Sequence, residues 1–127
     1  MRLLLDTHVL LWWLADDRRL GARARALISN ADNSVYVSAA SAWEISIKRA
    51  LGKLKAPPSL DGSVEEAGFE KLSIEFQHAE RAGALPPLHS DPFDRMLIAQ
   101  ALLEDLVLVT GDKSLAEYGV QLGSAEE

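Results

Sequence analysis

Carboxylates are the residues of this chain best placed to do chemistry. Asp6 directly follows an apolar run, Arg2–Leu5, in "LLLDTHVLLWWL". Asp112 comes three residues after a second apolar run, 106–109, in "LVTGD". Glu44 lies about two turns into the helical pattern of "SAASAWEISIK", and helical side chains lean back toward the N-terminus of their helix. Asp94 lies in the first turn of the pattern opened by Asp91-Pro92 in "DPFDRMLIAQA". Each acid has a bland explanation. Asp6 and Asp112 suit helix N-caps, Asp94 suits a first helical turn, and Glu44 suits an ion pair with Lys48 one turn on. As a group they fit less well, because four gathered carboxylates repel one another and no matching set of basic residues shares their motifs. Hard divalent cations resolve that repulsion, and Mg²⁺ binds through one or two carboxylates, waters and substrate phosphate. The chemistry such a pocket serves is phosphodiester hydrolysis by metal-activated water. No rival nucleophile is evident: there is no cysteine and no serine in a strand–turn–helix elbow motif.

The elements around these acids must bring them to one place. Strands are expected at Arg2–Leu5, 34–37, 71–74 and 106–109, with a last edge strand at 120–122. Helices are expected at 7–15, 21–30, 39–51, 59–67, 75–83 and 92–104, with one to two turns between Asp112 and Gly119. Ser38 and Asp91 are expected to cap, Pro92 to occupy the first helical position, and Gly52 to stop a helix. Alternating strands and helices, with strands apolar throughout, imply a parallel sheet covered on both faces. Ligands in such folds bind beyond the carboxyl ends of the strands. There Asp6, Glu44, Asp94 and Asp112 converge, with Thr7 and Thr110 beside them.

Bulk properties narrow the class. The chain has 127 residues, enough for one domain, 1–127, with a core of its own. Hydrophobic residues make 48% and charged residues 25%, the balance of a soluble globular protein. The absence of cysteine excludes disulfides and thiolate metal sites and fits a cytoplasmic location. No stretch is long enough to span a membrane, and the N-terminus lacks a signal-peptide cleavage pattern. A net charge of −6 argues against a general nucleic-acid binder, unless cations bind: two divalent ions would offset four of those charges.

Taken in order, Asp6-Thr7 after the first strand, Glu44 in "SAASAWEISIK", "DPFDRMLIAQA" and "LVTGD" resemble the PIN-domain ribonucleases, and most nearly the VapC-type toxins of bacterial toxin–antitoxin pairs. The resemblance covers nearly the whole chain. It implies a three-layer α/β/α, Rossmann-like domain with a central, mostly parallel sheet of four or five strands. The family's four acids match Asp6, Glu44, Asp94 and Asp112 as catalytic, metal-holding residues, and Thr110 matches its hydroxyl. Asp91, the extra acid, is assigned the cap. The resemblance also implies a Mg²⁺- or Mn²⁺-dependent endoribonuclease acting on single-stranded or looped RNA, a cognate VapB-type antitoxin, and a homodimer. Two further readings are a stand-alone PIN nuclease and a non-catalytic PIN-like RNA-binding or scaffold domain. A haloacid-dehalogenase-like phosphatase would carry an acid where this chain has His8, and a response-regulator receiver would carry a better-placed lysine than Lys113.

Other residues are more ambiguous. Lys48, Arg49, Lys53 and Lys55 either grip RNA phosphates beside the acids or form a solvated helix end. Arg95 is placed to pair with a phosphate or with Asp91. His89 is placed to contact RNA or metal, though a lone loop histidine is more often neither, and His8 and His78 read alike. Trp12 and Trp13 are adjacent, so one is expected in the core and the other under a partner. Arg18, Arg19, Arg23 and Arg25 either line a partner surface or keep a helix soluble.

Overall fold

Leu3, Leu4 and Leu5 are each fully buried. Side chains of a strand alternate between its faces, so all three are buried only if the sheet is covered on both sides. The computed structural model, which describes residues 1–127, has that arrangement. Leu3 and Leu5 belong to one core with Val9, Leu10, Ala24, Ile28 and Val64. Leu4 belongs to a second core with Leu97, Ile98, Ala101, Leu108 and Leu115.

The elements run β1 (Arg2–Leu5), α1 (Thr7–Leu14), α2 (Ala22–Ser29), β2 (Ser34–Ser38), α3 (Ala39–Ala50), α4 (Leu60–Glu66), β3 (Glu70–Leu72), α5 (Phe76–Ala84), α6 (Pro92–Glu104), β4 (Val107–Thr110), a 3₁₀ helix (Lys113–Tyr118) and β5 (Leu122–Ser124). Helices α1, α2 and α4 supply the first core and α6 the second, so the three layers expected from the sequence are present. The sheet order is β3-β2-β1-β4-β5 and every pairing is parallel, so the sheet is wholly rather than mostly parallel. The chain moves outward from β1 to β3, then crosses back to place β4 on the other side of β1. The strand order therefore switches direction between β1 and β4, where parallel sheets open a crevice for ligands.

Capping chemistry fixes where the helices near that crevice begin. Asp6 accepts a hydrogen bond from Val9 N to start α1. Ser38 accepts from Ala40 N to start α3. Asp91 accepts from Phe93 N and Asp94 N to start α6, with Pro92 following. A side-chain N-cap contributes about 0.5–2 kcal/mol. Here the caps also fix which residues fall in the first turns.

Several boundaries differ from the sequence expectations for physical reasons. Strand β3 is Glu70–Leu72 rather than 71–74, because its partner β2 ends at Ser38, opposite Leu72, and turns at once into α3. Strand β5 is Leu122–Ser124 rather than 120–122, since its register pairs Thr110 with Ser124, while Val120 is a core side chain. Strand β4 begins at Val107, because the amide of Leu106 is spent closing α6 onto Ala101 O. Glu75 caps α5 instead of opening it, and the turns after Asp112 are 3₁₀.

The tryptophans also depart from expectation. Trp13 packs against Phe69 with ring centroids 6.0 Å apart, and Trp12 lies beneath the Arg19 guanidinium, so both are half-buried within the chain. The exposed tryptophan is Trp43 on α3, edge-on to Phe93, on the same face as exposed Ile47 and Leu51. Arg25 is a clamp rather than a free surface charge: it bonds Leu20 O, Asp17 O and Asp16 Oδ1.

The C-terminal residues are tied to the start of α2, where Gly21 N donates to Ala125 O and Arg23 N to Glu127 O. A Cβ at Gly21 would fall 2.4 Å from Glu126 O. Gly21 has φ −71°, which any residue adopts, so the requirement for glycine is space alone. Gly21→Ala is therefore expected to cost about 1–3 kcal/mol in thermal melting of the whole chain. In a chain shortened by Glu126 and Glu127 the same substitution should be neutral or mildly stabilising. An equal cost in both backgrounds would refute the steric explanation.

Candidate active site

Beyond the carboxyl ends of β1 and β4 lies a cleft lined by Asp6, Glu44, Asp91, Asp94, Asp112 and Glu126, with Lys48 as its one lysine and His8 as its imidazole. Asp6 is carried there because β1 ends one residue earlier and its amide continues the sheet by donating to Val109 O. Its Oδ1 caps α1 and its Oδ2 accepts the Thr110 hydroxyl at 2.5 Å. The Thr110 oxygen in turn accepts from Asp112 N at 3.1 Å, so one hydroxyl aligns the acids that follow β1 and β4. Asp112 Oδ1 accepts from Ser114 N and Oγ, which leaves Oδ2 toward the cleft. Glu44 is buried on α3, with Oε1 accepting from the Thr7 hydroxyl at 2.6 Å and Oε2 paired with Lys48. Thr7 therefore supports Glu44 from behind rather than lining the cleft.

The charges in this cleft are poorly compensated. Burial pushes the Asp6 carboxyl up, opposed by the Thr110 and Val9 hydrogen bonds. Burial, and then the charge of Asp91, push Asp94 up to about 6, opposed by His89. The hydrogen bond to Glu44 holds the Lys48 ammonium above its ordinary range, so that lysine is committed to one acid of the six. Half-buried carboxylates that resist ionisation, converging from different elements on one cleft, are a donor set suited to a hard divalent cation. Asp6, Asp94 and Asp112 are the side chains that would hold it, with Glu44 behind them.

The structure brings together Asp6, Glu44, Asp94, Asp112, Thr110, Asp91 and Lys48, and separates the others. Arg95 reaches neither Asp91 nor the cleft. Its Nη2 donates to Ala82 O, Gly83 O and Leu85 O, and its Nη1 to Pro86 O and His89 O, at 2.8–3.5 Å. It thus satisfies carbonyls at the C-terminus of α5 that the helix leaves without partners. Arg49 bonds Pro57 O at 2.8 Å and holds the connector after α3 instead of an RNA-facing surface. Lys53 is exposed and outside the cleft.

Sequence reading missed two residues at the site, Trp12 and Glu126, and discounted two histidines, His8 and His89. Trp12 and Glu126 line the cleft. His89 Nε2 lies 3.0 Å from Asp94 Oδ2 and 3.6 Å from Asp112 Oδ2. The near-adjacency of His89 to "DPFD" was the available signal. A more apolar cleft, lined by Leu60, Val64 and Leu72, lacks this chemistry: its one acid, Asp61, is paired with Lys71.

The PIN domain family model matches residues 3–121. The chain belongs to that family. It is 33% identical over 118 residues to Ribonuclease VapC22 of Mycobacterium tuberculosis, covering 91% of this chain and 90% of that protein. It is 40% identical over 68 residues to Ribonuclease VapC16 of the same organism, covering 49% of this chain and 48% of that protein. In fold, the VapBC2 complex of Rickettsia felis bound to a promoter DNA fragment matches with TM-score 0.71 and 16% identity, over 97% of this chain and 98% of that one. A toxin–antitoxin complex from Klebsiella pneumoniae matches with TM-score 0.67 and 19% identity, over 98% of both chains.

Two predictions follow from the geometry of this PIN domain. In the metal-free folded protein Asp94 keeps its proton to about pH 6, above its ordinary value of 3.8. The contribution of that proton to stability is complete below about pH 4 and is lost as pH rises through about 6. Asp94→Asn stays neutral throughout. In EDTA, its melting temperature relative to wild type should climb between pH 4 and 6 and level off above; a difference independent of pH would disprove the burial of that charge. Arg95→Lys should lower stability by about 2 kcal/mol or more and speed hydrogen exchange in residues 85–90, because an ammonium cannot serve five carbonyls. Unchanged exchange there would exclude the clamp.

Proposed function

We propose that this PIN domain is a Mg²⁺- or Mn²⁺-dependent endoribonuclease and the toxin of a toxin–antitoxin pair. The observation that carries the reading is the convergence of Asp6, Glu44, Asp94 and Asp112 on one cleft at the β1/β4 switch point. The similarity to two proteins named ribonucleases supports RNA as the substrate. A divalent cation held there would lower the pKa of a water for attack on phosphorus and offset charge on the leaving oxygen. Asp6, Asp94 and Asp112 bind that cation. Thr110 holds Asp6 in position, and Thr7 and Lys48 hold Glu44. The half-buried indole of Trp12 narrows the cleft on the α1 side.

The partner reading is an inference of the same kind. The solved neighbours are toxin–antitoxin complexes, and we infer a cognate VapB-type antitoxin for this chain, together with homodimerisation, in the cytoplasm where its RNA is met. The exposed Trp43, Ile47 and Leu51 favour a protein partner, since contiguous apolar surface is the usual mark of one. No helix is long and apolar enough to cross a membrane.

The deciding experiment is Asp6→Asn. Asn caps a helix about as well as Asp, so α1 should survive. Losing a charge from the crowded cleft should raise metal-free stability by about 1 kcal/mol. Mg²⁺ should no longer raise the melting temperature, since a ligand stabilises only the state that binds it. RNA cleavage, which in wild type should leave 5′-phosphate and 3′-hydroxyl ends and stop in EDTA, should fall by orders of magnitude. Asp91→Asn, which alters a cap, should keep most activity. Near wild-type cleavage by Asp6→Asn would return Asp6 to the role of a helix cap.

A further inference from the structure

We propose that His89 is a ligand to the same cation as Asp94 and Asp112, and that its imidazole makes the site take Mn²⁺ in preference to Mg²⁺. The proposal rests on the metal-site reading of the cleft and adds a nitrogen donor to it. Nε2 is 3.0 Å from Asp94 Oδ2 and 3.6 Å from Asp112 Oδ2. The first distance is also that of a hydrogen bond, but the second is too long for one. Ligand atoms about 2.1 Å from a shared ion lie roughly 3.0–3.4 Å apart at right-angled to tetrahedral geometry. The 3.0 Å separation falls in that range and the 3.6 Å separation lies just beyond it, so one nitrogen faces two carboxylate oxygens at close to the spacing of a common coordination shell.

The loop that carries His89 is built rather than loose. Arg95 Nη1 donates to His89 O at 3.1 Å, and the same guanidinium holds Leu85 O and Pro86 O. Asp91, two residues on, caps α6 and so fixes the step from His89 to Asp94. The imidazole is thereby presented to the acids, with its ring partly open to solvent. Lys48 does not compete for this position, because it is bound to Glu44 on α3, and the other imidazole of the cleft, that of His8, is carried on α1 beside Asp6 and Trp12. A nitrogen donor among carboxylates changes selectivity. Mg²⁺ demands oxygen donors and retains its waters, whereas Mn²⁺, although also served by carboxylates, is a transition-metal ion that accepts an imidazole nitrogen more readily than Mg²⁺ does.

Mn²⁺ added alone to the full metal-free chain tests this without RNA. Pulsed electron paramagnetic resonance should show coupling of the bound Mn²⁺ to an imidazole nitrogen, and His89→Ala should abolish it. Calorimetric titration should show Mn²⁺ affinity falling about 10-fold or more in His89→Ala and His89→Gln, with a smaller change for Mg²⁺. Bound Mn²⁺ without nitrogen coupling in the unmodified protein, or an Mn²⁺/Mg²⁺ preference that survives His89→Ala, would overturn the proposal and leave the carboxylate site standing. Mn²⁺ binding as tight in Asp94→Asn as in wild type would overturn the carboxylate site, and this proposal with it.

Discussion

Mutual repulsion among carboxylates crowded at one sheet edge is the constraint around which this chain is organised. Six acids line one cleft with a single lysine among them. The fold holds most of them by dividing each carboxyl group between two tasks. One oxygen is spent on the scaffold: Asp6 on Val9 N, Asp91 on Phe93 N, Asp112 on Ser114, Glu44 on Thr7. In Asp6 and Asp112 the other oxygen is aimed inward, at Thr110 and toward His89. Each local hydrogen bond is worth on the order of 1 kcal/mol, or rather more for a charged acceptor. Together they secure a geometry that electrostatics opposes. The two apolar cores supply the rigidity behind it, since replacing a side chain such as buried Leu97 by alanine would cost about 2–5 kcal/mol.

This division dissolves the choice posed by Asp6 in the sequence. Helix cap and site residue were competing readings of one aspartate, and the geometry shows that capping uses one carboxyl oxygen and leaves the other turned to Thr110 at the cleft. Asp112 is divided likewise, with its second oxygen toward His89. An acid at the end of a parallel strand is well suited to both tasks, because the helix that follows starts where the sheet opens its crevice.

What the sequence revealed and what it hid divide along the range of the interactions. Strands β1 and β4 were legible from unbroken apolar runs, and α3 and α6 from their caps, so the four acids were placed on the right elements. The edges of the sheet were not. The extents of β3 and β5 depend on where β2 and β4 stop, which is a property of the partner strand. Arg95 and Arg49 read as phosphate binders because a cation near acids suggests one, but their acceptors are backbone carbonyls of neighbouring loops that carry no residue-type signal. His89 was dismissed as a solitary loop histidine, and only the folding of its loop onto Asp94 gives it company. The tryptophans misled because adjacency says that two side chains diverge but not which surface awaits each.

The sheet order carries a consequence for how the chain behaves in a crowded solution. Parallel sheets leave two open rims, and a rim with free amides and carbonyls is a template on which another polypeptide can add. Here the rims are β3 and β5, each of three residues. Lys71, in the middle of β3, is engaged by Asp61 and Glu65, which sets charge along that rim. Rims so short, one of them charged along its length, offer little purchase for strand addition. The long apolar runs that build the cleft occupy the protected interior of the sheet, and the folded chain can carry them without becoming a seed for aggregation.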